Sequence, residues 1–190
     1  MIEPDPPDLP AEPEEPDLSE PRIVEARLEG VSLAGERRIR LGLLDVELRE
    51  CDLANFDARG ATFRRVAVRD SRLTGCNLAE STLNDVLLDD CRADLAAFAA
   101  ARIGQVRFVS CNLSRTGFQG AWLREVAFED CDLSDADLTG SRFKDVELRG
   151  CRLEGLRGAN SLSGVRMPWT DIVENAGLFA GACGVDVLTE

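Results

Sequence analysis

The chain has no histidine, no tyrosine, a single lysine (Lys144), two methionines and two tryptophans in 190 residues. Each scarcity removes a class of chemistry. Without histidine the commonest general base is missing, and so is the usual partner of cysteine at zinc. No glycine-rich phosphate loop and no nucleophile elbow occurs either. The sequence therefore predicts a protein that is not an enzyme and that uses no metal and no cofactor. No apolar run approaches the roughly 20 residues of a membrane span. The acidic N-terminus lacks the apolar stretch of a secretory signal, so neither export nor membrane insertion is expected. The 7 cysteines, an odd number, then fit a reducing cytoplasm better than a disulfide framework.

Charge is abundant but unevenly placed. The formal net charge is −13. Residues 1–21 carry eight acids (Glu3, Asp5, Asp8, Glu12, Glu14, Glu15, Asp17, Glu20) and no base, with seven of the 8 prolines. Residues 22–165 carry 23 acids against 21 bases, a net −2. Residues 1–20 thus read as a disordered acidic tail, because a segment so poor in apolar groups cannot offset the entropy of ordering. The remainder is nearly neutral, which argues against direct nucleic-acid binding, since no long basic stripe meets the phosphates.

The strongest positive signal is periodic. Valine recurs at 46, 66, 86, 106, 126 and 146, a spacing of 20. Each opens a five-residue unit, and four units complete the cycle: Val46-Glu-Leu-Arg-Glu, Cys51-Asp-Leu-Ala-Asn, Phe56-Asp-Ala-Arg-Gly, Ala61-Thr-Phe-Arg-Arg. The third residue of a unit is large and apolar (Leu48, Leu53, Phe63, Val68, Leu73 and onward), and the first is small or medium. The second, fourth and fifth are mostly polar or Gly. Two inward residues in five, four units per turn, describe a square coil, and an internal repeat outranks other fold signals. The units Cys51-Asp-Leu-Ala-Asn, Cys76-Asn-Leu-Ala-Glu, Cys111-Asn-Leu-Ser-Arg, Cys131-Asp-Leu-Ser-Asp and Ala136-Asp-Leu-Thr-Gly resemble the pentapeptide-repeat family. The resemblance implies an all-β solenoid, a right-handed quadrilateral β-helix with coils about 4.8 Å apart.

The expected organisation follows. Residues 21–45 form a degenerate first coil or N-terminal cap, and 46–165 the solenoid. Residues 166–190 form a C-terminal helix and tail that cap the rod or make a dimer contact. Glu36-Arg-Arg-Ile-Arg puts Arg38 in a core slot, so a bulge is expected there with Ile39 turned in. Ala58 and Ala93 in large-residue slots predict loose filling. The alanine-rich stretch from Ala93 to Ile103 stays in phase and is not expected to be helical. A short capping helix is predicted near 171–182, with Thr170 as N-cap, Gly184 as stop, and Val185 to Leu188 extended beyond it. Trp169, Ile172, Ala176 and Phe179 are its candidate cap or dimer residues.

Cys51, Cys91, Cys111, Cys131 and Cys151 share one column. One thiol per coil does not converge on a metal, so packing is the reading preferred. A filled tube offers no pocket, which leaves its outer faces. The acids Glu50, Asp70, Asp89, Asp90, Glu129, Asp130, Asp132 and Asp135 form a candidate partner-binding face. Arg64, Arg65, Arg102, Arg124, Arg142 and Lys144 make another side basic, with Trp122 outward upon it. The function expected is a non-catalytic protein-interaction scaffold. The resemblance implies an alternative: a DNA mimic, homodimeric through its C-terminal region, that binds DNA gyrase or topoisomerase IV and protects it from poisons such as quinolones. The near-neutral solenoid departs from that alternative.

Overall fold

A computed structural model describes residues 2–11 and 16–187. Glu12, Glu14 and Glu15 of the acidic tail, and Leu188 of the expected extended tail, lie outside the described residues. Seven eight-residue strands are present: β1 (Arg22–Glu29), β2 (Gly42–Arg49), β3 (Thr62–Arg69), β4 (Thr82–Asp89), β5 (Arg102–Val109), β6 (Trp122–Glu129) and β7 (Arg142–Arg149). They stack in sequence order as one parallel sheet. The register never slips: Ala26 meets Val46, then Val66, Val86, Val106, Val126 and Val146. Each strand runs along two sides of the square. The other two sides contribute single bridges, such as Asp52 with Arg72 and Asp57 with Asn77.

The corners explain the period of five. Every fifth residue from Glu25 to Gly155 has φ between +49° and +73°. At two corners of each coil this residue is the third of a turn closed by an i→i+3 hydrogen bond. Phe56 N–H donates to Leu53 O (3.2 Å) and Ala61 N–H to Ala58 O (3.0 Å). Positive φ at that place is the mark of a type II turn. The Asp or Asn that opens such a side supports the turn. Asp52, Asn77, Asn112, Asp132 and Asp137 each accept a hydrogen bond from the backbone N–H two residues on. This is the local Asx bond that suits these residues to turns.

The tube is filled by side chains from the first and third positions. At its middle four phenylalanines interdigitate from opposite sides. Phe98 stacks on Phe118 (5.1 Å) and Phe108 on Phe128 (4.8 Å), while contacts between the pairs are edge-on at 6.1–6.4 Å. Both geometries are favoured by the ring quadrupole. Ala58 and Ala93 are fully buried. At Ala58 the large and small slots are exchanged, with Phe56 in the first position supplying the volume. A small apolar void of about 20 Å³ lies among the first three coils, lined by Leu53, Phe56, Phe63 and Leu78 among others.

Arg38 does not cause a bulge. Its unit keeps the register, Arg38 N–H bonds Asp57 O (2.8 Å), and Ile39 stays 42% exposed. In the terminal coil the guanidinium leaves through the open end and bonds Glu36 (2.8 and 3.0 Å). Leu18, on a turn at Asp17–Glu20, packs on the core beside it. At the other end regular bridging stops at Arg157. Gly158 (φ +76°) occupies a third-position slot, and a Cβ there would lie 2.5 Å from Thr139 N. Glycine lets the chain close onto the coil beneath, into a 3₁₀ turn at Ala159–Ser161.

The cap differs from the single helix expected. Two short helices follow, α1 (Trp169–Glu174) and α2 (Ala176–Ala182), separated at Asn175. The N-cap is Pro168, not Thr170, whose hydroxyl instead bonds Asp171 (3.0 Å). Gly184 (φ +77°) ends α2 as expected, with Val185 N–H on Ala180 O and Gly184 N–H on Gly181 O, the paired bonds of a Schellman end. Leu178 and Phe179 turn onto the core. The buried carboxylate of Asp171 accepts the Gly150 N–H at 2.6 Å. In every coil below, the equivalent N–H bonds a carbonyl of the next coil, as Asp130 does to Arg149 O (2.9 Å). Gly150 has no next coil, so Asp171 stands in for it. Asp171→Ala is expected to lower unfolding free energy by about 1.5–3 kcal/mol, the worth of a hydrogen bond to a charged group, measured by urea denaturation. Unchanged stability would remove this role.

Candidate interaction surfaces

The corner that ends each strand carries the acidic column. Glu50, Asp70, Asp90 and Asp130 have φ of +53°, +49°, +51° and +52°. Asp and Asn tolerate this region better than other side chains. Part of the acidic pattern is thus a backbone requirement, filled at the same corner by Ser110 and Gly150. All four acids are exposed. Asp89 and Glu129, one residue earlier in the strand, are half-buried, as is Asp132, while Asp135 is exposed at the next corner.

Ion pairing divides the eight. Asp70 pairs with Arg49 (3.7 Å), Asp89 with Arg69 (2.8 Å), Glu129 with Arg107 (2.9 Å) and Asp132 with Arg152 (3.8 Å). Glu50, Asp90, Asp130 and Asp135 make no ion pair among the described residues. Glu50, Asp90 and Asp130 sit two coils apart along one edge, a step of about 10 Å from the inter-strand spacing. The structure therefore brings the eight to one flank of the rod, but as three aligned unpaired carboxylates rather than a continuous stripe.

The basic side is also broken. Arg65 is locked to Asp45 by two bonds of 2.6 and 2.5 Å, and Arg124 lies 3.7 Å from Glu125. Asp45 is buried, and its bond to Arg65 holds its carboxyl below the ordinary value of 3.8. Arg64, Arg102, Arg142 and Lys144 are exposed. Trp122 is 49% exposed beside a shallow depression of about 230 Å³, where Gly104 leaves its column without a side chain.

The cysteines are packing groups. Six are buried and unbonded, and Cys183 alone is exposed. Cys51, Cys91, Cys131 and Cys151 each point their thiol at a carbonyl 23 residues back, at 3.4 Å. Burial pushes the Cys76 thiol up to about 12 and raises that of Cys51. No group of three metal-binding side chains converges among the described residues.

At the cap, Trp169 is 76% exposed rather than folded over the coil end. Ile172 and Val173 are 37% and 55% exposed, and Ala176 is exposed too. Of the four candidate residues only Phe179 packs on the core. Two contributors were missed from sequence. Asp171, an acid in the first turn of α1, gives no sign in the sequence of its bond to Gly150. The N-terminal segment packs on the rod, with Ile2, Pro4, Pro7 and Leu9 half-buried. The signal for it was Ala67 and Leu87, apolar residues in outward slots of the valine side.

A four-sided parallel solenoid with a filled core presents its faces and ends to other molecules, and at the C-terminal end an open depression of about 620 Å³ lies between residues 150–155 and Glu174, Asn175, Gly177 and Leu178. Residues 43–79 match the family description "Pentapeptide repeats (8 copies)" and residues 93–157 match "Pentapeptide repeat region". The chain belongs to the pentapeptide-repeat family. Comparison with curated protein sequences finds no significant match. Among solved structures, HetL is a pentapeptide repeat protein involved in heterocyst differentiation regulation in the cyanobacterium Nostoc. It is 21% identical, covering 78% of this chain and 90% of its own, with a TM-score of 0.44. Full-length QnrB1, a plasmid-mediated fluoroquinolone resistance protein, is 13% identical, covering 86% of this chain and all of its own, with a TM-score of 0.35.

Separating backbone demand from surface chemistry at the acidic corner is direct. Asp90→Gly should keep thermal stability within about 0.5 kcal/mol, because glycine adopts positive φ freely. Asp90→Val should cost about 1–2 kcal/mol, the penalty of a side chain ill-suited to that region. Equal stability of the two variants by calorimetry would show that the corner places no demand on the residue.

Proposed function

We propose that this protein is a non-catalytic interaction scaffold that docks a protein partner on the flank carrying Glu50, Asp90 and Asp130. The observation that carries the reading is their common corner. Three exposed carboxylates without ion pairs stand at fixed steps on a rigid backbone, so a basic surface can meet them without ordering the rod first. Asp70, Asp89, Glu129 and Asp132 contribute shape there more than charge, since arginines of the same flank balance them. No helix among the described residues is long and apolar enough to cross a membrane. Six buried, unbonded thiols suit a reducing cytoplasm.

Double reversal, Asp90→Arg with Asp130→Arg, should lower affinity for the partner at least tenfold while leaving the circular dichroism spectrum unchanged. The measurement is quantitative pull-down from the source cell with wild-type and reversed bait; a partner retained equally by both sinks the assignment of this face. Mimicry of duplex DNA toward DNA gyrase or topoisomerase IV is the narrower alternative, and it is tested by supercoiling assays with and without a fluoroquinolone. Paired acids on the flank weigh against it.

The C-terminal end supports a homodimer. Trp169, Ile172, Val173 and Ala176 form an exposed apolar group on α1 and the start of α2, and an exposed tryptophan is a common interface anchor. Light scattering at tens of micromolar should give twice the 20.7 kDa chain mass, and Trp169→Asp with Val173→Asp should return it to one. A monomeric wild type rejects the dimer and leaves the scaffold reading untouched.

A further inference from the structure

The valine side is not bare. Between β3 and β5 its outward slots hold Ala67 and Leu87, with Arg69 and Arg107 at the edges. Residues Glu3 to Pro7 lie along this groove, enclosing a seam of about 250 Å³. Asp8 N–H donates to Asp45 Oδ1 at 2.9 Å, on the same carboxylate that holds Arg65. The contact follows a pattern: Ile2, Pro4, Pro7 and Leu9 are half-buried, while Glu3, Asp5 and Asp8 are exposed. The half-buried apolar groups lie against a seam that Ala67 and Leu87 floor and Arg69 and Arg107 edge, and the three carboxylates stay in solvent.

Dimensions and entropy agree. The seam runs from the third coil to the fifth, and the Asp8 bond to Asp45 carries the docked segment to the second, in all about 14 Å at the inter-strand spacing. Five residues of polyproline conformation span about 15 Å. Prolines fix φ before docking, so less freedom is lost on binding.

We propose that this groove is a binding site for acidic, proline-bearing extended peptides, and that the chain's own residues 3–8 occupy it in cis. The tail is then a strap that a partner segment of the same chemistry must displace. The site is separate from the carboxylate corner and stands or falls without it.

The test uses full-length protein and a fluorescein-labelled peptide of residues 2–11. In one variant Glu3, Asp5 and Asp8 are all changed to Arg, which releases the strap. The peptide should bind this variant in anisotropy titrations at low salt, and bind wild type at least tenfold more weakly because the cis copy competes at high effective concentration. Adding Arg69→Glu with Arg107→Glu, or separately Leu87→Asp, should abolish binding to the released variant. Two groove variants are used because Arg69 and Arg107 also pair with Asp89 and Glu129; far-UV circular dichroism identifies any that unfolds. Equal binding to wild type and released variant overturns cis occupancy. No binding to the released variant, or binding that survives the folded groove variants, overturns the site. A wild-type mass that rises with concentration in light scattering, and stays at one chain in the released variant, assigns the strap to a second copy and overturns the cis arrangement.

Discussion

The left-handed corner is the constraint on which the molecule rests. A chain that leaves a strand with positive φ every fifth residue turns by a quarter each time, and four such turns return it one strand-width higher. Once that happens, each backbone N–H of one coil faces a carbonyl of the next, and Val46 falls upon Val66 without slippage. The corner also sorts the side chains. Residues that can bear positive φ collect there, and Asp or Asn collects two places before the turn's first central residue, where its oxygen accepts a backbone N–H. What looks like a consensus for charge is in large part a consensus for turning.

A solenoid of this kind has a weakness in its ends, because the ladder that stabilises its middle is unsatisfied at both. The two ends solve this differently. At the N-terminal mouth Leu18 packs over the core, while the misfit Arg38 escapes to Glu36 through the opening. At the C-terminal end a carboxylate, Asp171, replaces the missing coil at one corner. Phe179 and Leu178 cover apolar surface there, but Trp169 and Val173 remain in solvent. The cap closes the rod and at the same time offers a sticky face, which is why it enters the proposed assembly.

The surface shows how far charge counting carries. A flank with eight acids is half neutralised by arginines one coil away, as in Arg69 with Asp89 and Arg107 with Glu129. Neighbouring coils present their outward residues in register, so a charge column on one slot is met by whatever the adjacent slot holds. Exposed pairs of this sort add little to stability, but they decide which carboxylates remain for a partner. The same arginines edge the seam under the N-terminal segment, so a tail expected to be solvated finds a groove of matching length.

The repeat itself was legible from sequence because period five within period twenty has one geometric solution, and inward slots must be apolar in every coil. That legibility extended to the buried cysteine column and to the Gly184 stop, both set by local backbone or by slot. It failed where the pattern met an end or a second segment. Arg38 is tolerated because an end is open, a fact no single unit contains. The split of the cap at Asn175, and the pairing of Asp171 with Gly150, depend on which N–H the last coil leaves free. The seating of residues 3–8 on Ala67 and Leu87 joins segments some sixty to eighty positions apart. Sequence determined the coil, because local turns and slot polarity repeat. Tertiary structure alone decided the ends, the surviving carboxylates and the strap, because those rest on contacts between parts that share no period.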